Sequence, residues 1–448
     1  MSEEKNYAVA VVGAGPAGLF AAKELASQGI QVALLNRDIK PGGLAEYGIY
    51  PTKLKMKNGL RAQFQQILSL PNIHYFGNVT VGQNADLTLS DLRSMGFQAI
   101  LVTAGAQGTN WLGLPGEELT GVYHAKEIVY HYNKLPPFSQ KQVFIGNKVA
   151  VIGVGNVMLD IVHYLVEDRQ VEEVTGVARR GPKEIKFDRK ELEYVIGNLD
   201  LAAVEAEIDR VSPVMMALGQ DPQPIKDFFR EAKQKGIPPV GKSVFRLRFL
   251  ASPTRILDDG SGRVGGLELE ENTLVAAGSD TKARGLGKTF IMDVDTVIFA
   301  IGDKVDENLG LPVHSSAFDK NPEPLFPVEG ESYEAYSSET GEPVVGVFVA
   351  GWSRNASTGL VGGARKDGTN GARAILQYLN TNPAGDPAAL QKLQSYLLQL
   401  PHPVVMKEAL EALNFAEKER AAALGLEEFK FTSNTEMLEA MGLLGVTP

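Results

Sequence analysis

Two glycine-rich turns and one pair of adjacent arginines are the residues of this chain best suited to chemistry. Gly13, Gly15 and Gly18, with Pro16 and Ala17 between them, follow the apolar run 7–12 and open a helical pattern that continues through Ala26. A strand, tight turn and helix in that order direct backbone N–H groups and the positive end of the helix at a pyrophosphate. The pattern restarts at 148–152 and runs through Gly153-Val154-Gly155-Asn156 into a helix to about Val166. Asn156 and Val157 begin that helix and are placed to meet a second pyrophosphate, while Met158 stands where a third small residue would permit close packing. Chemistry at the end of the second strand of each unit separates the two nucleotides. After the second unit come Arg179 and Arg180, where an acid would bind a free ribose 2′-hydroxyl; two guanidiniums there suit a 2′-phosphate. The plainer alternative is a pair of solvated strand-end arginines. After the first unit comes Asn36, whose amide bonds a ribose hydroxyl less strongly than a carboxylate would.

A chain with 47 glycines in 448 residues shows a strict GxGxxG by luck about every second time, so context decides. Gly260, Gly262 and Gly265 form a second strict match, but they lie between strand-like runs with no helix after them. A hairpin turn is expected there.

The elements that must position these residues are two βαβ units and the strands that extend them. Further strands are expected at 31–35, 99–104, 173–178, 264–270, 294–301 and 345–350, a long helix at roughly 362–380, and amphipathic helices over 386–448. The expected fold is α/β with two nested Rossmann-like dinucleotide-binding domains. Residues 1–105 and 303–448 form one, interrupted by 106–302 as the other.

Composition narrows the function. No cysteine is present, which removes disulfide, thiolate and iron–sulfur chemistry from the chain itself and leaves redox work to a bound cofactor. The six histidines are scattered without metal-ligand spacing, so no metal is expected. A net charge of −10 argues against broad nucleic-acid binding. No apolar stretch is long enough to span a membrane, and Met1–Lys5 lacks a signal-peptide pattern, so no integral membrane contact and a cytoplasmic location are expected.

Taken together, VVGAGPAGLFAA, GNVMLD, ARRGP followed by the Lys190-Glu191-Leu192 step, RLRFLASP at 246–253 and GWSRNASTGLVGGARKDG at 351–368 resemble the adrenodoxin reductase type of NADPH:ferredoxin oxidoreductase. This is an FAD flavoprotein family with nested FAD and NADP domains. The resemblance implies FAD on the first glycine turn, NADP(H) on the second, a hydride passed to the flavin and single electrons passed to a ferredoxin-like iron–sulfur protein. It also implies flavin contacts from Gly43, Leu44, Gly48, Gly351, Trp352, Gly359, Leu360 and Val361, with Thr358 and these last three opening the long helix. Trp352 could equally be a core aromatic. Lys53 and Glu191 match a pair on the nicotinamide side, or else make an ordinary surface salt bridge. Lys53 replaces the family's usual histidine, and GGLAEYGIYPTKLKMK is more similar to the FAD loop of the glutamate synthase small subunit. An NADPH-oxidising subunit that feeds another acceptor is therefore the alternative, and a non-catalytic flavin-binding scaffold is a weaker third. Lys226, Arg230 and Lys233 share one helical face within a basic stretch and could steer an acidic partner; a solvated face is the other reading. The carboxylates of the 318–345 loop would repel such a partner.

Overall fold

The structure, a computed structural model, describes residues 7–357, 359–381 and 385–445. Thr358 and the Met1–Lys5 stretch lie outside the described residues. The chain forms two compact units, one made of Met1–Asn110, Tyr130–Gln140 and Gly302–Pro448, the other of Trp111–Val129 and Lys141–Ile301.

In the first unit the continuous apolar run becomes the strand Ala8–Val12, buried at every position because both faces of its sheet are covered. It pairs in parallel with Gln31–Asn36 on one side and Ala99–Val102 on the other. The seven-stranded sheet then continues through Ile73–Gly77 to Val405–Met406 at one edge, and through Glu342–Val349 to Glu334–Ser337 at the other. Strand order reverses beside Ala8–Val12, and a crevice forms beyond the carboxyl ends of strands at such a reversal. The helix Pro16–Ser27 buries Leu19, Phe20 and Leu25 on one face of this sheet. Across it lies Val361–Thr381, and the crossing is close because Gly368 has no side chain: a Cβ there would sit 2.1 Å from the Ala17 carbonyl oxygen. Ala389–Leu397 packs against the opposite face through Leu393 and Leu397, and Lys407–Leu424 joins the first core through Leu410 and Leu413.

The second unit holds five parallel strands in the order Val122–His124, Thr296–Phe299, Lys148–Ile152, Glu173–Val177 and Val244–Arg248. An antiparallel sheet of Ala251–Asp258, Val264–Ala277 and Asp280–Met292 follows. The Gly260–Gly265 match is a hairpin turn: Gly260 and Gly262 take φ of +94° and +83°, and the Asp258 carboxylate accepts their N–H groups at 2.7 and 2.9 Å. Met158, in the helix Asn156–Glu167, is fully buried. Its bulk is accommodated because the adjacent strand offers Gly176, whose absent Cβ would lie 3.5 Å from the Met158 sulfur. Among the described residues no helix is long and apolar enough to cross a membrane.

Candidate nucleotide sites

Each unit places a glycine turn at the carboxyl end of its central strand. In the first, Gly13 has φ +107°, and any Cβ would meet the Thr103 carbonyl oxygen at 2.5 Å, so only glycine lets the turn lie against the neighbouring strand. Gly18 is pressed to 1.9 Å from the Gly13 oxygen in the same sense. Gly15 is the opposite case, since a Cβ on it would meet nothing within 4 Å. It is the N-cap of Pro16–Ser27 and no side chain caps the helix, so the terminal N–H groups face open space. The second unit repeats this. Gly153 has φ +123° and lies 2.3 Å, by the same measure, from the Ala300 oxygen; Gly155 is open, and Asn156–Glu167 has no side-chain cap. Asn156 exchanges bonds with Asp188, its Nδ2 donating to the carboxylate at 2.9 Å and its Oδ1 accepting the Asp188 N–H at 2.7 Å. Its side chain therefore fixes the 186–188 segment beside the turn, and only its backbone faces the open side. Val157 is 43% exposed there.

Asn36 is buried, and most of its amide is committed to backbone. Oδ1 accepts the Ala14 N–H at 3.0 Å and Nδ2 donates to the carbonyls of Asp38 and Lys40 at 2.8 and 3.1 Å. It ties the glycine turn to the following loop, and its Oδ1 retains a second lone pair. Gly43, at φ +50°, approaches the Cα of Gly15 to within 3.1 Å of a notional Cβ, and the short helix Leu44–Tyr47 ends at Gly48. This loop rests on a buried charge cluster that the sequence reading missed. Arg61 donates from Nε and Nη2 to the two oxygens of Glu46 at 2.6 Å each, Lys430 lies 2.8 Å from the same carboxylate, and Lys40 bonds Glu417 at 2.5 Å. Burial alone would raise the Glu46 carboxyl, but Lys40, Lys430 and Arg61 hold it far below the usual carboxylate range. Burial, followed by the Lys430 charge, pushes the neighbouring Lys57 down to about 7.

Gly351 begins a short turn with Trp352 and Ser353 at φ +66°, where a Cβ would lie 2.7 Å from that of Ala17. Its N–H donates to Asp367 at 2.6 Å. Arg354, also buried, grips Asp367 at 2.7 Å and lies over the Tyr333 ring at 4.4 Å. Asp367 and Gly368, the DG of the quoted GGARKDG stretch, are thus the anchor and the crossing point of this segment. Trp352 is half-buried, Gly359 and Leu360 are exposed, and Val361 starts the long helix. Lys53 closes the turn Pro51–Lys53 in the first unit, and Glu191 lies on Arg189–Glu193 in the second.

The two arginines differ. Arg179 is exposed, with no bond from its guanidinium among the described residues, and its carbonyl is held by Asn272 at 2.9 Å. Arg180 donates from Nη1 to both oxygens of Asp280 at 3.0 Å. The cations of the 226–233 face have partners in their own unit. Lys226 is paired with Asp209 at 2.6 Å, Arg230 with Glu205 at 2.6 Å, and Lys233 donates to the carbonyls of Ile196, Gly197 and Leu199. Its cations are spent within the unit, on the helix Leu201–Met216 and on one turn end. The acidic 318–345 loop is likewise partly consumed: Glu331 pairs with Arg354, Glu329 with Lys366, and Glu334 accepts two backbone N–H groups. Among the described residues no group of His, Asp and Glu is arranged to hold a metal.

The pyridine nucleotide-disulphide oxidoreductase family matches residues 7–191. The chain has no cysteine, so the disulphide chemistry in that description does not carry over. It is 26% identical over 388 residues to the mitochondrial NADPH:adrenodoxin oxidoreductase of Arabidopsis thaliana, covering 79% of this chain and 78% of that protein. It is 29% identical over 457 residues to a probable ferredoxin/ferredoxin--NADP reductase of Mycobacterium tuberculosis, covering 96% and 75%. Mycobacterium tuberculosis FprA, solved in complex with NADPH, shares the fold with a TM-score of 0.79 at 24% identity over 97% of this chain and 99% of that one.

Proposed function

As a relative of the adrenodoxin reductase type of NADPH:ferredoxin oxidoreductases, this chain is, we propose, an FAD-dependent enzyme that takes a hydride from NADPH and passes single electrons to a ferredoxin-like iron–sulfur protein. The observation that carries the reading is the doubled cradle, in which Gly15 and Gly155 each leave an uncapped helix end facing open space. The first fits FAD, held by the Gly13–Gly18 turn, the free lone pair of Asn36, the loop Gly43, Leu44 and Gly48, and the 351–361 segment. The second fits NADP(H), held by Gly153, Gly155, the Asn156 and Val157 backbone, and the arginines.

When bound, FAD supplies the conversion from two-electron to one-electron transfer. The protein's own task is to orient and to stabilise charge. The positive N-terminal end of Val361–Thr381 would stabilise negative charge on the flavin, and Gly351 lets the backbone pass close to it. Trp352 would pack on the ring system. Lys53, in the first unit, and Glu191, in the second, are each assigned by the resemblance to the nicotinamide side. Arg179 supplies the ready cation for a 2′-phosphate. We place the enzyme in the cytoplasm.

A second reading, an NADPH-oxidising subunit like the glutamate synthase small subunit that feeds another acceptor, is favoured by the internal pairing of Lys226 and Arg230, which leaves no bare basic face there. Anaerobic spectroscopy tests both. The purified protein should be yellow, NADPH should bleach the flavin band, and added ferredoxin should restore it. Restoration only by other acceptors would favour the second reading, and a protein that takes up no flavin would refute both.

A further inference from the structure

Asp280 heads the strand Asp280–Met292, just past a two-residue turn in which Gly278 has φ +64°. Both its oxygens lie 3.0 Å from Nη1 of Arg180, and the same nitrogen donates to the Thr281 carbonyl at 3.1 Å. Nε and Nη2 of that guanidinium make no bond among the described residues. The Asp280 carboxylate is also within electrostatic reach of Lys186, whose backbone N–H bonds the Val154 oxygen of the second glycine turn at 2.9 Å. A carboxylate thus lies on Arg180 and within the field of Lys186, in the same unit as the second glycine turn. Its Oδ1 also accepts the Thr281 N–H at 2.8 Å, and its side chain is 71% exposed, so it can turn from Arg180 into water.

We propose that Asp280 is an internal counter-ion occupying the 2′-phosphate position on Arg180, displaced when a 2′-phosphorylated nucleotide binds, and that it thereby sets how strongly the enzyme discriminates between 2′-phospho and 2′-hydroxyl forms. The inference rests on the reading of Arg179 and Arg180 as the 2′-phosphate site. A phosphate of charge about −1.5 to −2 with three acceptor oxygens outcompetes a single carboxylate for a guanidinium fork. The exchange still costs the pair it replaces. With a bare 2′-hydroxyl no displacement occurs, and the carboxylate remains in place as an acceptor.

Calorimetric titration of the purified flavoprotein with 2′,5′-ADP and with 5′-ADP reads this without turnover. Asp280→Asn should tighten 2′,5′-ADP about twofold to fivefold at low salt and should not tighten 5′-ADP; the gain should shrink as salt rises. In an Arg180→Ala background the gain should vanish, because the competition is for that side chain. Equal or weaker 2′,5′-ADP binding by Asp280→Asn, with Arg180→Ala still weakening it, would overturn the proposal and leave the arginine site standing. Arg179→Ala and Arg180→Ala both binding 2′,5′-ADP as the wild type does would instead overturn the site itself, and the proposal with it.

Discussion

Replacing Gly368 by alanine should separate the two helices that frame the first nucleotide site. The new Cβ would lie 2.1 Å from the Ala17 carbonyl oxygen and 2.7 Å from its Cα, where ordinary contact begins at 3.4 Å. Both neighbours are backbone, so no rotamer change relieves the clash, and Val361–Thr381 must move away from Pro16–Ser27. Overpacking typically costs about 1–3 kcal/mol, and a backbone neighbour puts this case at the upper end. The same shift disturbs the adjacent Asp367, which holds Gly351 N–H at 2.6 Å and Arg354 at 2.7 Å. Two strained bonds add ~1 kcal/mol each. A total of about 3–5 kcal/mol corresponds to a fall in Tm of roughly 2–4 °C per kcal/mol, with loss of bound flavin during gel filtration. Gly59→Ala is the control: it lies within the helix Leu54–Leu68 with nothing within 4 Å of the new methyl, and should stabilise by up to ~1 kcal/mol. A Gly368→Ala protein with wild-type Tm and full flavin content would refute the reasoning.

Met158→Ala should cost about 2–4 kcal/mol by opening a cavity, and Gly176→Ala should cost less in that background than alone, since its methyl would lie 2.9 Å from Leu247 Cδ2 and the vacated sulfur site, 3.5 Å away, gives that side chain room to shift. Unfolding midpoints of the two single variants and the double variant would measure this, and strict additivity would show that the two residues do not share the space. For Lys57, whose folded value of about 7 lies below the ordinary lysine value of 10.5, the unfolded chain binds more protons between those pH values, so stability should climb with pH across that window. Lys57→Met should flatten the climb, on the order of 3 kcal/mol, in denaturant midpoints taken at pH 7 and near pH 10.

Local signals in the sequence located the glycine turns well, because a strand, a turn and a helix fall within one short window. The strand expected at 99–104 is Ala99–Val102, and the helix expected near 362–380 is Val361–Thr381. The same locality separated the Gly13 turn from the Gly260 hairpin, which share a pattern but not a following helix. Features that depend on distant partners were not legible. The charges at 226, 230 and 233 share a face by their spacing, but their pairing with Asp209 and Glu205, which come from another helix, was not visible there. Asn36 reads as a ribose contact by its place after the second strand, and its bond to the Ala14 N–H, 22 residues away, was not visible there. Met158 looked like a packing fault until the strand beside it supplied Gly176.

The ion pair between Lys40 and Glu417 joins residues 377 positions apart, and both belong to the unit that begins with the first glycine turn. At about 5–20 residues per second, a ribosome needs roughly 20–75 s to travel between those two codons. In that interval residues 141–301 can emerge and complete their own parallel sheet. The first strand, its glycine turn and Glu46 meanwhile wait without Gly368 above them or Lys430 beneath. The first nucleotide cradle is thus encoded first and assembled last, and a nascent chain stalled before residue 361 should carry a finished second unit and an open first one that cannot retain a nucleotide cofactor.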